Sequence, residues 1–404
     1  MPSFAPFRAW RYAPGIDLAA VTAPPYDVLS RADVARHKLQ HPNNIVRLDV
    51  PPVNQAGYVA AAKNLGLWKK NGTLVRDDQP TLTLYRRHFV DSATGLDRTV
   101  IGVIGALEVR DEGSGGVLPH ERVTPKASTD RLDLTRATQA NLSAVWGLSL
   151  ANGLTHVLDA IWKSITTKSD QPQPIVFVAD EVKHEVLPVT QPNDIALVVA
   201  LVSAHDVLIA DGHHRYGVAR LYRDEVRLAA EPSAAKNPAE ATLAFVGELV
   251  ENQLTVDAIH RLYDDVSVDD LLAALGRNFE LSPGPAPAPE LLAEMDRLGR
   301  LILVTPAGQT TWLTPRRGAF DKVRSLDSVW LEHSLANLTH VVSYQHGYQE
   351  IIKALPCHEA AILIRPTTVT EIRRTATQGL LMPPKSTFFT PKLQTGMVIR
   401  SLDD

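Results

Sequence analysis

The run Val207-Leu208-Ile209-Ala210-Asp211-Gly212-His213-His214-Arg215-Tyr216 most constrains what this 404-residue chain can fold into. Its four leading apolar residues read as a buried strand. Asp211-Gly212 breaks that strand. An amphipathic helix follows, with Val218, Ala219, Leu221 and Tyr222 on its apolar side. Strand, glycine turn and helix N-terminus together make an anion trap. The first N–H groups of a helix have no intrahelical partner, and the positive end of its dipole points the same way. Gly212 lets the backbone approach an anion closely. Arg215 adds a forked donor, and His213 and His214 add donors that move protons near neutral pH. Asp also favours N-caps, so a capped, solvated first turn is the plainer alternative. Arg and His, however, belong at helix C-termini on dipole grounds. Three of them in a first turn point to a bound anion.

Two more polar runs carry candidate chemistry. Pro119-His120-Glu121-Arg122-Val123-Thr124-Pro125-Lys126, followed by Asp130-Arg131, comes after the flexible Gly113-Ser114-Gly115-Gly116. It offers a base (His120 or Glu121), a hydroxyl (Thr124) and two cations (Lys126 and Arg131). Loops of mixed charge often hold sites. A polar surface loop with weak local ion pairs is the equal alternative. Near the C-terminus, Lys385, Ser386, Thr387 and Lys392 make a phosphate or nucleotide wall, with Phe388 and Phe389 as anchors. In Thr22-Ala23-Pro24-Pro25-Tyr26-Asp27-Val28 the prolines fix the backbone, which places Tyr26 and Asp27 in a pocket or in a plain turn. Asn44 and Arg47 are further substrate-side candidates. Asp257–Arg261 reads as the end of a strand, with His260 a satisfied structural histidine.

The rest of the chain alternates. Strand-like runs cover 44–50, 81–90, 99–109, 175–178, 206–210 and 301–305. Helix-like segments cover 31–39, 58–70, 194–203 and 214–229, the second ending at Asn71-Gly72. In Ser282–Pro289 four prolines alternate with small residues, which predicts an extended linker or a long loop. The division expected is therefore a core over 1–281, a connector over 282–290 and a C-terminal α/β portion over 291–404 that folds back on the core.

A formal charge of -4 argues against a nucleic-acid binder. The single cysteine, Cys357, allows neither an internal disulfide nor a cysteine-rich zinc site, and suits a reducing cytoplasm. No secretory pattern opens the chain, and no apolar run reaches the roughly 18 residues of a membrane span. Walker, Gly-x-Gly-x-x-Gly, His-Glu-x-x-His and Gly-x-Ser-x-Gly motifs are absent. His213 and His214 are adjacent, so they do not share one helix face as an i,i+4 metal pair does.

Ala23-Pro24-Pro25-Tyr26-Asp27-Val28, His120-Glu121-x-x-Thr124, Ala210–Tyr216 and Met382–Phe389 together resemble the bacterial and archaeal family called domain of unknown function number 1015, in order and over nearly the whole chain. More distantly, Asp211–Tyr216 resembles the phosphate-binding turn of the ParB and sulfiredoxin superfamily, which includes free-serine kinases. That resemblance implies an α/β (α+β) fold with a ParB/sulfiredoxin-like mixed-sheet core. It implies phosphoryl transfer from ATP or ADP to a small hydroxylated metabolite, serine first. Arg215, His214 and His213 would hold phosphate, and Asp211 would support phosphate or Mg²⁺. Glu121 would activate the acceptor. The places matching sulfiredoxin's cysteine hold Gly212, His213 and His214, which argues against that chemistry. Hydrolysis of a phosphomonoester such as phosphoserine, and nucleotide-responsive regulation without chemistry, are the alternatives. The expected partners are a nucleotide and a small substrate, with neither nucleic acid nor membrane, and homodimerisation is left open.

Overall fold

The computed structural model describes residues 1–91, 95–119, 128–229, 237–383 and 385–403. The chain forms two compact units: Met1–Thr255 with Pro391–Asp404, and Val256–Thr390. The second unit is thus an insertion in the chain of the first. The fold class is mixed α/β.

The first unit is built on a nine-stranded sheet. Its strands are β1 (Phe4–Ala5), β2 (Leu82–Val90), β3 (Asp97–Glu108), β4 (Val117–Leu118), β5 (Val145–Ser149), β6 (Ile175–Ala179), β7 (Val182–Val189), β8 (Val207–Asp211) and β9 (Ala241–Glu248). The order is β4-β8-β5-β9-β3-β2-β7-β6, with β1 also on β3. Pairings β8/β4 and β9/β5 are parallel and the others antiparallel, so the sheet is mixed. Helices of this unit include α1 (Gln55–Lys70), α2 (Ser128–Thr138), α3 (Leu154–Thr166), α4 (Pro192–Ser203) and α5 (His213–Ala229). Strand β2 shows how the sheet divides its faces. Leu82 and Leu84 join the main core with Ile101, Val103 and Val246, under Leu158 and Ile161 of α3 and Val198 and Val202 of α4. The alternate residues Thr83, Tyr85 and Arg87 are also buried but lie on the other face. Gly102 of β3 makes room there, because a Cβ would run into the Phe245 ring.

The second unit holds a six-stranded sheet: β10 (Ile259–Asp264), β11 (Phe279–Pro283), β12 (Leu301–Val304), β13 (Thr310–Pro315), β14 (Val341–His346) and β15 (Ala360–Leu363), in the order β11-β13-β12-β15-β10-β14. Both of its faces are covered, which explains why β12 is apolar throughout. Leu301 and Leu303 pack with α6 (Val268–Leu275) and α8 (Asp327–Leu335). Ile302 and Val304 pack with α7 (Leu291–Leu298) and α9 (Tyr348–Ala354).

Three sequence expectations are corrected. Residues 44–50 are no strand: Val46–Asp49 is a short helix. Asn44 Oδ1 accepts the Val46 N–H while its amide donates to Ala20 O and Thr22 O, and this local bonding overrides the β-branched pattern. The units divide at Thr255 and Val256, not near 281. Ser282 and Pro283 continue β11 against Trp312 and Thr311, and Gly284 N–H donates to Thr310 O. Only Ser282 and Pro283 of the proline-rich stretch join this edge strand, where proline is tolerated, and residues 284–288 run on outside any helix or strand, as a loop does. Finally, the run Asp257–Arg261 closes one short strand at Asp257, as expected, but its Ile259–Arg261 part opens another.

His184 in the first unit and His260 in the second are buried, neutral imidazoles. His184 Nδ1 meets Tyr85 Oη at 2.7 Å, and His260 Nδ1 accepts the Ile364 N–H at 3.2 Å. Burial first, then Arg87 or Arg261, lowers their pKa values to about 4. In the unfolded chain each binds its proton near pH 6.5. The stability they support is therefore whole above that pH and lost as pH falls towards 4, by up to about 3 kcal/mol each. Urea midpoints across this window should fall steeply, and replacing either histidine by Gln should flatten the decline. Gly102→Ala should lower the unfolding free energy of the first unit by about 1–3 kcal/mol through overpacking on Phe245, read as a lower urea midpoint.

Candidate functional site

Strand β8 ends at Asp211 and α5 begins at His213. Gly212 between them has φ +82°, in the left-handed region that favours glycine. The Tyr216 N–H bonds to Gly212 O at 2.9 Å and closes the first turn. Glycine brings no capping side chain. It also clears space for its neighbour, since a Cβ there would lie 2.9 Å from Arg215 Nε.

Asp211 is the centre of an ion cluster. Its Oδ2 accepts from Arg215 Nη2 at 2.9 Å, and its Oδ1 accepts from Lys392 Nζ at 3.3 Å. Burial pushes the Asp211 carboxyl up, but Lys392 and then Arg215 outweigh it and hold it well below the usual carboxylate range. The Arg215 side chain is 8% exposed. Its Nη1 donates to Ala144 O, and Asp27 Oδ2 lies 3.8 Å from its Nη2. Burial lowers the Arg215 pKa, yet Asp27 and Asp211 raise it overall, so the guanidinium stays charged. The forked donor is thus spent on the protein in this state. Its partners come from before β5, from the N-terminal turn and from the end of β8.

A second pair adjoins it. Arg131 on α2 donates from Nη1 to the Asp49 carbonyl, lies 3.5 Å from Asp49 Oδ1, and stacks 3.5 Å from the centre of the Tyr26 ring. Burial raises the Asp49 carboxyl, and Arg131 and Arg215 offset this only in part. Burial also pushes the Tyr26 phenol up to about 12.

Lys392 arrives on the returning segment Pro391–Asp404, which is clamped by the far face of β2. Arg87, fully buried, donates from Nη1 to Pro391 O, and the Gln394 N–H reaches Tyr85 Oη at 3.4 Å. The guanidinium lies 4.3 Å from the Trp146 ring centre and 5.3 Å from that of Phe245. Burial lowers its pKa to about 10.

The structure therefore brings Tyr26, Asp27, Arg131, Asp211, Gly212, Arg215 and Lys392 together, with His213 and His214 in the first turn of α5. His120, Glu121, Thr124 and Lys126 lie outside the described residues. Asn44 is spent on backbone, donating to Ala20 O and Thr22 O, and Arg47 Nη2 donates to Lys38 O. Both brace the N-terminal segment. Lys385, Ser386 and Thr387 belong to the second unit. There Lys385 is exposed, and Ser386 Oγ donates to Pro383 O at 2.8 Å. Sequence reasoning missed Asp49 and Arg87. Arg87 left a signal, as a cation at a buried position of an apolar strand. Asp49 left none, because its partner lies on a distant helix.

Among the described residues no group of three His, Cys, Asp or Glu side chains is placed to hold a metal ion, and no helix is long and apolar enough to cross a membrane.

The family model described as "Protein of unknown function (DUF1015)" matches residues 4–329. A search of curated proteins finds no significant match. Solved structures similar to this chain include a free serine kinase mutant in complex with ADP, at 11% identity over 70% of this chain and 89% of that one, with a TM-score of 0.36. A conserved hypothetical protein from Pyrococcus furiosus gives 11%, 71%, 93% and 0.37. SbnI with a C-terminal truncation, from Staphylococcus aureus, gives 11%, 72%, 84% and 0.38.

Arg215→Ala would leave Asp211 and Asp27 without their shared counter-ion. Breaking a buried pair from one side costs about 3–5 kcal/mol. Urea unfolding should show a loss of that size for Arg215→Ala and a smaller one for Arg215→Lys. A wild-type midpoint for Arg215→Ala would remove Arg215 from the centre of the cluster.

Proposed function

This chain belongs to the family described as "Protein of unknown function (DUF1015)", and we propose that it is a phosphotransferase moving a phosphoryl group from ATP or ADP to a small hydroxylated metabolite, with serine the first acceptor to try. The observation that carries this reading is Asp211 held between Arg215 and Lys392 at the mouth of α5. Two cations from distant parts of the chain meet at a glycine-started helix N-terminus, the arrangement that favours phosphate.

Phosphoryl transfer asks a protein mainly for positioning and charge stabilisation. The first-turn N–H groups of α5 would receive the phosphates. Lys392 would turn from Asp211 to a phosphate oxygen and balance the charge that develops there. Arg215, fixed by Asp27 and Ala144, would keep the turn rigid. His213 and His214 stand in the same turn as donors. Asp211, released by Lys392, would hold Mg²⁺, which would supply charge neutralisation at the phosphates. Glu121 is the proposed activator of the acceptor hydroxyl.

Thermal unfolding with ATP, ADP, CTP or GTP and Mg²⁺ tests the site. A nucleotide at about 100 times its Kd should add roughly 2.7 kcal/mol to the native state. Lys392→Gln should lose that shift while keeping its helical and sheet signal. Phosphoserine formation from serine and the preferred nucleotide then tests the reaction. A shift with phosphoserine alone would favour the hydrolase, and no shift with any nucleotide would sink the phosphotransferase reading.

A further inference from the structure

A cavity of about 210 Å³ lies in the first unit, lined by Phe7, Arg8, Arg76, Pro238, Arg400 and Ser401. None of these residues belongs to the Asp211 cluster. Three guanidiniums from distant parts of the chain thus line one space. The strand Trp10–Tyr12 pairs with Leu74–Arg76, which sets Trp10 opposite Arg76. The Trp10 N–H donates to Ile399 O and so draws in Arg400 on the returning segment.

Neutral groups help to place these cations. Arg400, 8% exposed, donates from Nη1 to Asn141 Oδ1 and Ala241 O, and from Nη2 to Pro238 O. Arg8 donates from Nε to the Asp77 carbonyl. The Arg76 guanidinium lies 6.0 Å from the centre of the Trp10 ring. Lys69 of α1 adds a fourth cation, with Nζ 4.9 Å from the same ring centre and 3.5 Å from Ser401 Oγ. Carboxylates are fewer among the described residues. Asp77 gives both oxygens to Arg11, and Glu240 gives both to Arg227. Asp78 and Asp403 are left beside the four cations, and Asp403 Oδ1 accepts from Ser401 Oγ. The described side chains here therefore carry a surplus of positive charge, and no acidic side chain is among the described lining residues.

Like charges around one cavity repel, and an anion between them turns that repulsion into attraction. Guanidiniums offer paired N–H donors that match phosphate oxygens. A water needs about 10–15 Å³ of such space, so the cavity has room for roughly fifteen, more than a pyrophosphate ion needs.

We propose that this cavity binds a phosphate group of two or more negative charges, free or as the end of an ester, at a site separate from the turn before α5. The anion would bridge the N-terminal strand, its partner strand and the returning segment that carries Lys392. This site does not depend on the phosphotransferase reading.

The test titrates the full chain calorimetrically, without magnesium, with pyrophosphate, inorganic phosphate, glycerol 3-phosphate and acetate. Pyrophosphate should bind at least about tenfold more tightly than acetate. Arg8→Gln and Arg76→Gln should each weaken pyrophosphate by about tenfold, the loss expected for one charge-assisted hydrogen bond. Lys392→Gln should keep this site. Glycerol 3-phosphate binding more tightly than inorganic phosphate would identify an ester end group, and the reverse order a free anion. Arg8 is exposed, so Arg8→Gln decides should Arg76→Gln unfold. No binding of pyrophosphate, equal binding of acetate, or pyrophosphate binding untouched by the arginine variants would overturn the proposal. Pyrophosphate binding lost in Lys392→Gln alone would also overturn it, and would leave the phosphotransferase reading standing.

Discussion

One carboxylate, shared between two cations, organises the first unit. Asp211 gives one oxygen to Arg215 and the other to Lys392. It thereby joins the end of β8, the first turn of α5 and the returning segment. Asp27, Asp49 and Asp211 face Arg131, Arg215 and Lys392, with Asp130 also 3.8 Å from Arg131 Nε. Such a cluster is stable only while it stays matched, because each buried charge relies on its neighbours rather than on water. An anion that arrives at the turn must bring a cation or displace a carboxylate. The same balance that holds the fold therefore sets which ligands enter.

The pieces legible in the sequence were local ones. Val207–Tyr216 announced a strand, a glycine turn and a helix, and each of those signals needs only its immediate neighbours. Tyr26, Asp27, Arg131 and Lys392 were visible as polar residues in rigid or charged runs. That they meet around Arg215, while Lys385–Thr387 belong to the second unit, is decided by topology and was not readable. Residues 44–50 misled because β-branched residues suggest a strand, while the decisive bonds run from the Asn44 side chain to backbone at Ala20 and Thr22. In Ser282–Pro289 the loop reading holds from residue 284 onward, and only Ser282 and Pro283 extend β11, since an edge strand and a loop both accept proline.

The face of β2 opposite the main core has a separate role. Tyr85 and Arg87 grip the backbone of the segment that carries Lys392. A buried guanidinium held largely by ring faces is a specific anchor, since an aliphatic residue offers no donor to Pro391 O and Lys lacks the flat surface to lie on Trp146. Placement of Lys392 is thus fixed two residues deep, by atoms that never touch a ligand.

The insertion of the second unit has a consequence for the order of events in synthesis. Met1–Thr255 leaves the ribosome first, with its sheet strands in hand but without Lys392 and with nothing for Arg87 to hold. The whole of Val256–Thr390 must follow before Pro391–Asp404 closes the charge cluster. Nascent chains therefore pass through a stage in which a nearly finished domain carries Asp211 with Arg215 but without its second cation, and a segment made after the whole second unit supplies it.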